Sequence, residues 1–159
     1  MSDSDGLINA CILDGKGGAR DLDWGEVEDW SAAEGLKWMH LDRNGTRTEQ
    51  WLRQKSGLDD IVIDALIAPE TRPRVASIGA GMLLTLRGVN LNPGAEPDDM
   101  VSLRIWVDGT RLISVRLRRL KAISDITESL EAGNGPKDIG ALVAVIASRL
   151  AQRISPVIE

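Results

Sequence analysis

The stretch that most constrains the fold runs from Met100 to Arg119 and reads MVSLRIWVDGTRLISVRLRR. Apolar residues occupy alternate positions before Asp108-Gly109 and again after it, which is the period of half-buried strands, so a β-hairpin is predicted. Keeping the apolar odd positions of both strands on one face requires a loop with an odd number of residues. We therefore predict a three-residue loop with Gly109 in a left-handed conformation.

The other face of this hairpin is mixed, because Arg104, Trp106 and Arg116 share it with Leu112. Its arginines allow two interpretations: a site for an anion or nucleic acid, or a solvated or salt-bridged sheet edge partly covered by helices. The formal net charge of -5 disfavours nucleic acid as a partner and favours the second interpretation.

The size and composition of the chain predict one soluble domain. A chain of 159 residues can bury a substantial core. Its aromatic residues are five tryptophans, so Leu, Ile, Val and Ala must supply most of that core. The single cysteine, Cys11, lies in an apolar run and is predicted to be a buried hydrophobe in a reducing cytoplasm. No secretory signal is apparent, and no uncharged run reaches the ~20 residues that cross a bilayer.

Periodicity and turn residues predict about seven strands and four or five helices, hence an α/β or α+β single domain with a mixed sheet. Thr46 or Thr48, Asp59 and Asp138 are the expected helix caps. A strand remains the alternative for the second helix before Pro69, because β-branched residues are common there. Besides the hairpin, strands are predicted at Leu7–Leu13, Ala19–Leu22, Leu36–Leu41, Arg74–Ile78 and Met82–Asn90, and helices at Trp24–Glu34, from Thr46 or Thr48 to Lys55, from Asp59 to Ile67, at Ala122–Ala132 and from Asp138 onward.

The last helix has apolar residues at steps of three or four, which form a continuous seam along one side. The seam is unfinished where the sequence stops, with no glycine and no polar tail after it. We therefore expect the sequence to be cut from a longer one. The seam consists of Ile139, Val143, Ile146, Leu150, Ile154 and Val157.

The sequence motifs of common enzymes are missing, so no catalytic function is expected. There is no Gly-x-Ser-x-Gly, no complete phosphate loop, no dinucleotide fingerprint and no Cys-x-x-Cys pair. The only histidine, His40, has no second histidine or cysteine at ligand spacing. Glu96, Asp98 and Asp99 suit a hard cation such as magnesium, but residues in such a Pro-Gly loop are also ordinary turn formers.

Five short motifs, taken in order, resemble the amino-terminal cytoplasmic domain of the CorA-type divalent-metal transporters. The ZntB zinc transporters are the branch that the motifs resemble most. The likeness extends from about Leu7 to Glu159. The motifs are WMHLD at Trp38–Asp42, WL at Trp51–Leu52, ETRPR at Glu70–Arg74, LRGVNLN at Leu86–Asn92 and DMVSLRIW at Asp99–Trp106.

The resemblance implies a mixed sheet sandwiched between helices. Residues 1–137 would form the wall of a cytoplasmic funnel, and residues 138–159 would begin a stalk helix. Transporters of this kind are homopentamers of the inner membrane, held there by two downstream transmembrane helices that this sequence lacks. A divalent cation, zinc or magnesium, would be the transported or regulatory ion rather than a tightly bound cofactor, and no nucleic-acid partner is implied.

The resemblance also suggests weak metal ligands between subunits. The residues are His40, Glu70, Glu96, Asp98 and Asp99. Two alternatives remain at this stage: a domain of a magnesium or cobalt transporter, and a free-standing soluble regulatory or interaction module.

Overall fold

The computed structural model describes residues 6–23, 36–68, 74–79, 81–89, 100–109, 111–116 and 121–158. The predicted helix at Trp24–Glu34 lies outside these residues. The described strands are β1 Leu7–Leu13, β2 Ala19–Asp21, β3 Leu36–Asp42, β4 Arg74–Ile78, β5 Gly81–Val89, β6 Met100–Asp108 and β7 Arg111–Arg116. The described helices are α1 Thr48–Lys55, α2 Asp60–Ile67, α3 Lys121–Glu131 and α4 Ile139–Ile158.

The seven strands form one mixed sheet in the order β2-β1-β3-β7-β6-β5-β4. Only β3 and β7 run parallel, and every other neighbouring pair is antiparallel. The parallel pair lies near the middle of the sheet, where it joins strands from the first part of the chain to strands from the second. The predicted fold class, a mixed sheet of about seven strands, is confirmed.

Helices cover the sheet on both sides, which gives two hydrophobic cores. On one face, which we call the α1–α2 face, Met39, Leu41 and Ile113 pack with Leu52 and Leu66. On the α3–α4 face, Trp38 and Ile105 pack against Ile126, Leu142 and Ile146. Burial of each large aliphatic side chain contributes roughly 1.5–3 kcal/mol, so both helix pairs are held firmly. The predicted arrangement of a sheet between helices is confirmed.

The β6–β7 hairpin is confirmed, but its predicted three-residue loop is wrong. Ile105 pairs with Ser114, and Asp108 pairs with Arg111, so two residues connect the strands. Gly109 does not adopt a positive φ. The prediction assumed that only one face of the hairpin is buried. In the structure, both faces are buried, because residues 103–106 and 112–115 are all buried. Apolar alternation does not fix the register of a strand that is buried on both faces.

The helix caps agree with prediction in part. Asp138 Oδ1 accepts a hydrogen bond from the backbone N–H of Ala141 at 2.7 Å, which is the cap expected for α4. Asp59 occupies the cap position of α2, but its side chain makes no cap hydrogen bond. Arg47, rather than a threonine, precedes α1. Thr48 is buried and donates from Oγ1 to the carbonyl oxygen of Asp42 at 2.5 Å, so it joins β3 to α1 instead.

The loop between α3 and α4 is held against the β1–β2 turn through backbone contacts. Gly135 donates its N–H to the carbonyl oxygen of Gly17 at 2.7 Å. A Cβ atom at Gly17 would clash with the carbonyl oxygen of Gly133, so this approach requires glycine. Because α4 begins immediately after this loop, the turn fixes where α4 starts.

The first part of the predicted α4 seam packs in the core of the α3–α4 face: Ile139, Ile146 and Leu150 are buried there, and Val143 is partly buried against it. Leu142, which the predicted seam did not include, is fully buried in the same core. The side chains of Ile154 and Val157 lie outside the described part of the structure. Among the described residues, no helix is both long enough and apolar enough to cross a membrane.

Candidate functional site

His40 is fully enclosed in the middle of β3. Its neighbour in the parallel ladder is Ser114 of β7, and His40 Nδ1 and Ser114 Oγ are hydrogen-bonded at 2.7 Å. Trp38 Nε1 donates to the same hydroxyl oxygen at 3.1 Å. One serine hydroxyl therefore ties together two side chains of β3 across the junction between the halves of the sheet.

The surroundings of His40 keep its imidazole neutral. Burial, together with the smaller effect of the positive charge of Arg116, lowers its pKa to about 3. Nδ1 is engaged by Ser114, and Nε2 is buried with no hydrogen-bond partner among the described residues. A neutral imidazole is the form that binds metals. Ligation of zinc by His40 would have to use Nε2, in the interior of the α3–α4 face, and it stays a prediction.

The other predicted metal ligands, Glu70, Glu96, Asp98 and Asp99, lie outside the described residues, and their ligand roles also stay predictions. Within the described part of the chain, no group of three histidine, cysteine or acidic side chains is placed to hold a metal ion. Cys11 is 1% exposed, and burial raises the pKa of its thiol to about 12, so the prediction of a buried hydrophobe is confirmed.

The exposed side of α1 and α2 carries a cluster of carboxylates around Arg53. The guanidinium lies 2.7 Å from Asp64, 3.0 Å from Glu49 and 3.2 Å from Asp60. Such exposed pairs contribute little to stability. Three carboxylates against one guanidinium leave this surface negative, which favours the approach of cations.

Arg111 fixes the end of the β6–β7 hairpin to the end of α1. Its Nε donates to Asp108 Oδ2 at 2.8 Å, and its Nη1 donates to the carbonyl oxygen of Ser56 at 2.6 Å. Asp108 Oδ2 also accepts from Trp106 Nε1 at 3.2 Å. The hairpin and the α1–α2 connection are thereby held as one unit.

Two further arginines meet at the carboxyl end of α2: Arg104, for which an anion site was one of the two sequence interpretations, and Arg43, for which no site was predicted. Arg43 Nε donates to the carbonyl oxygen of Ile67 at 2.6 Å. Arg104, which is 0% exposed, donates from Nη2 to the carbonyl oxygen of Ala68. Helices were expected to cover this face in part, but the interpretation of Arg104 as solvated or salt-bridged is wrong, because its side chain is fully enclosed and its described partner is a backbone carbonyl. The sequence signal for this position is a single arginine in a strand whose alternate residues are apolar.

This architecture, with a long helix after a covered mixed sheet, is that of the CorA-like transporters. Residues 33–159 match the family described as CorA-like Mg2+ transporter protein, and the chain belongs to that family. It is a family of transporters rather than of enzymes. The resemblance stated from the sequence motifs is therefore confirmed.

Proteins named CmaX and ZntB are among the relatives of this chain. The chain is 46% identical to the divalent cation transporter CmaX of Pseudomonas aeruginosa over 160 residues, which covers 99% of this chain and 48% of that protein. It is 38% identical to the zinc transport protein ZntB of Pectobacterium carotovorum over 154 residues, covering 97% and 46% of the two chains. The cytoplasmic domain of ZntB from Vibrio parahaemolyticus has the same fold, with a TM-score of 0.82, 27% identity and coverage of 96% and 61%. The chain thus spans about half the length of the curated relatives that it matches.

Proposed function

We propose that this chain is the cytoplasmic domain of a divalent cation transporter, with zinc as the ion. The observation that carries the proposal is the continuous match of residues 33–159 to a transporter family. It is supported by likeness to a ZntB cytoplasmic domain across 96% of the chain. Magnesium is the second candidate, because the family description names it.

Within such a transporter, the domain would attract cations and take part in regulation and in assembly of a homopentamer. The net charge of -5 and the carboxylates around Arg53 support the first role. In this proposal, α4 is the beginning of the stalk that leads toward the membrane. The divalent cation would be cargo or regulator, and the domain would lie on the cytoplasmic side.

Transport is tested with the complete protein, expressed from its natural reading frame and reconstituted in liposomes that enclose a zinc-sensitive dye. External Zn2+ should give a saturable rise in fluorescence that protein-free liposomes lack. A parallel series with a magnesium-sensitive dye compares the two ions. Transport of Mg2+ without Zn2+ would replace zinc by magnesium, and transport of neither ion would contradict the proposal.

The metal ligands are tested separately, by calorimetry of this chain with Zn2+. We expect a weak, saturable heat that is reduced when His40, Glu70, Glu96, Asp98 or Asp99 is replaced by alanine. Glu131→Ala, at an exposed carboxylate of α3, is the control. Absence of saturable heat, or heat that none of the five variants alters, would rule out a ligand role in this chain.

A further inference from the structure

At the carboxyl end of α2, the buried guanidinium of Arg104 has fewer hydrogen-bond acceptors among the described residues than it has N–H donors. Arg104 lies on the α1–α2 face of β6, between Thr85 of β5 and Val115 of β7 in the ladder, and is completely enclosed. Its Nη2 donates to the carbonyl oxygen of Ala68. Its Nε and Nη1 are buried and have no hydrogen-bond partner among the described residues.

A second guanidinium lies at the same helix end. Arg43 donates to the carbonyl oxygen of Ile67, one residue before the acceptor of Arg104. Burial lowers the pKa of Arg104, and the positive charge of Arg43 lowers it further. An arginine side chain nevertheless remains protonated in a protein. Two permanent positive charges therefore share the last turn of α2.

The acceptors present do not balance these charges. No carboxylate of the described residues forms an ion pair with Arg43 or Arg104; the nearby Asp42 is 3.7 Å from Arg116 instead. The two helix carbonyls offer only the partial negative charge of a helix end. A buried guanidinium without a counter-charge is strongly unfavourable, whereas paired oxygens of a carboxylate or oxyanion satisfy both its charge and its N–H groups.

We propose that Arg43 and Arg104 form a binding site for a carboxylate or an oxyanion at the carboxyl end of α2. Arg43 is only partly buried, so the site is open to solvent on its side. The ligand would be a free anion from solution, either a carboxylate such as acetate or an oxyanion such as phosphate. This proposal does not depend on the transport function.

The first test replaces Arg104 by methionine, which has similar length and no charge. If no anion binds, Arg104→Met removes an unpaired buried charge, and the melting temperature of this chain should stay the same or rise. If an anion binds, the variant loses that stabilisation and melts lower. Arg53→Met, at an exposed arginine, is the matched control and should change the melting temperature little.

A second test supplies the anion. Sodium acetate or inorganic phosphate at constant ionic strength should raise the melting temperature of the natural chain by about 3–6 °C, but not that of Arg104→Met.

The proposal is overturned if Arg104→Met melts no lower than the natural chain, or if added anions shift the melting temperatures of both proteins equally or shift neither. Should Arg104→Met fail to fold, both tests are repeated with Arg43→Met, at the partly exposed arginine, and the same outcomes support or overturn the proposal.

Discussion

At the scale of single residues, His40 shows how enclosure changes the chemistry of a side chain. In an unfolded chain its imidazole binds a proton near pH 6.5, whereas in the folded protein its pKa is about 3. Between these values the unfolded state holds one more proton than the folded state at this position. The contribution of His40 to stability is therefore fully present above about pH 6.5 and is lost as the pH falls toward 3.

We predict that His40→Asn weakens the acid sensitivity of folding. Asparagine keeps a polar group near the position of Nδ1 but cannot be protonated in this range. Between pH 6.5 and 4, the natural chain should lose up to about 1.4 kcal/mol of unfolding free energy per pH unit more than the variant. Urea unfolding of both proteins at several pH values gives the difference. Parallel curves for the two proteins would show that His40 does not resist protonation.

Burial could be predicted from the sequence where neighbouring residues determine it, but long-range interaction partners could not. Cys11 is buried as expected, because its neighbours in the chain are apolar. The partner of His40 was out of reach of sequence reasoning, because Ser114 is 74 positions away and meets it only through the parallel pairing of β3 with β7. Arg104 was misjudged for a related reason: the helix that covers it comes from a distant part of the chain.

At the scale of elements, the β1–β2 turn supports the start of α4 through glycine contacts. Gly15 and Gly17 both have positive φ values, of 78° and 103°. A Cβ at Gly15 would meet nothing within 4 Å, whereas one at Gly17 would meet the backbone of Gly133. The two positions thus share the same conformational demand and differ in packing.

Alanine at each position should separate these effects. Both variants should lose about 1–2 kcal/mol to the positive φ. Gly17→Ala should lose about 1–3 kcal/mol more, because it displaces the α3–α4 loop. Hydrogen exchange should also quicken in that loop and the first turn of α4 in Gly17→Ala only. Equal destabilisation by the two variants would mean that the turn does not support α4.

Strand positions were predicted well because turn residues separate them, and β1 and β4 have the expected bounds. The hairpin register was predicted wrongly, since it depends on what covers the second face of the sheet. Likewise, Thr48 had the right chemistry for a helix cap, but its hydroxyl bonds to the carbonyl of Asp42. Long-range packing overrode the local preference in both cases.

At the scale of the whole molecule, Ser114 connects the two halves of the sheet. Its hydroxyl serves both Trp38 and His40, and all three side chains are fully buried. Ser114→Ala should therefore leave two buried polar groups unpaired and cost about 1–3 kcal/mol. Ser77→Ala, at an exposed serine of β4, should be within ~0.5 kcal/mol of the natural chain. Urea unfolding followed by circular dichroism compares them, and a Ser114→Ala cost as small as that of Ser77→Ala would contradict this role.

The parallel pairing of β3 with β7 also delays completion of the sheet while the chain is being synthesised. β1 and β3 emerge from the ribosome early, but β3 acquires its second neighbour only when β7 is made, some 74 positions later. At ordinary translation rates of about 5–20 residues per second, this interval is roughly 4–15 s. During that time an apolar strand has an open edge, a ready template for pairing with another nascent chain. Newly made copies are therefore most vulnerable to aggregation before β7 appears, and a chaperone that shields β3 in this interval should raise the yield of folded protein.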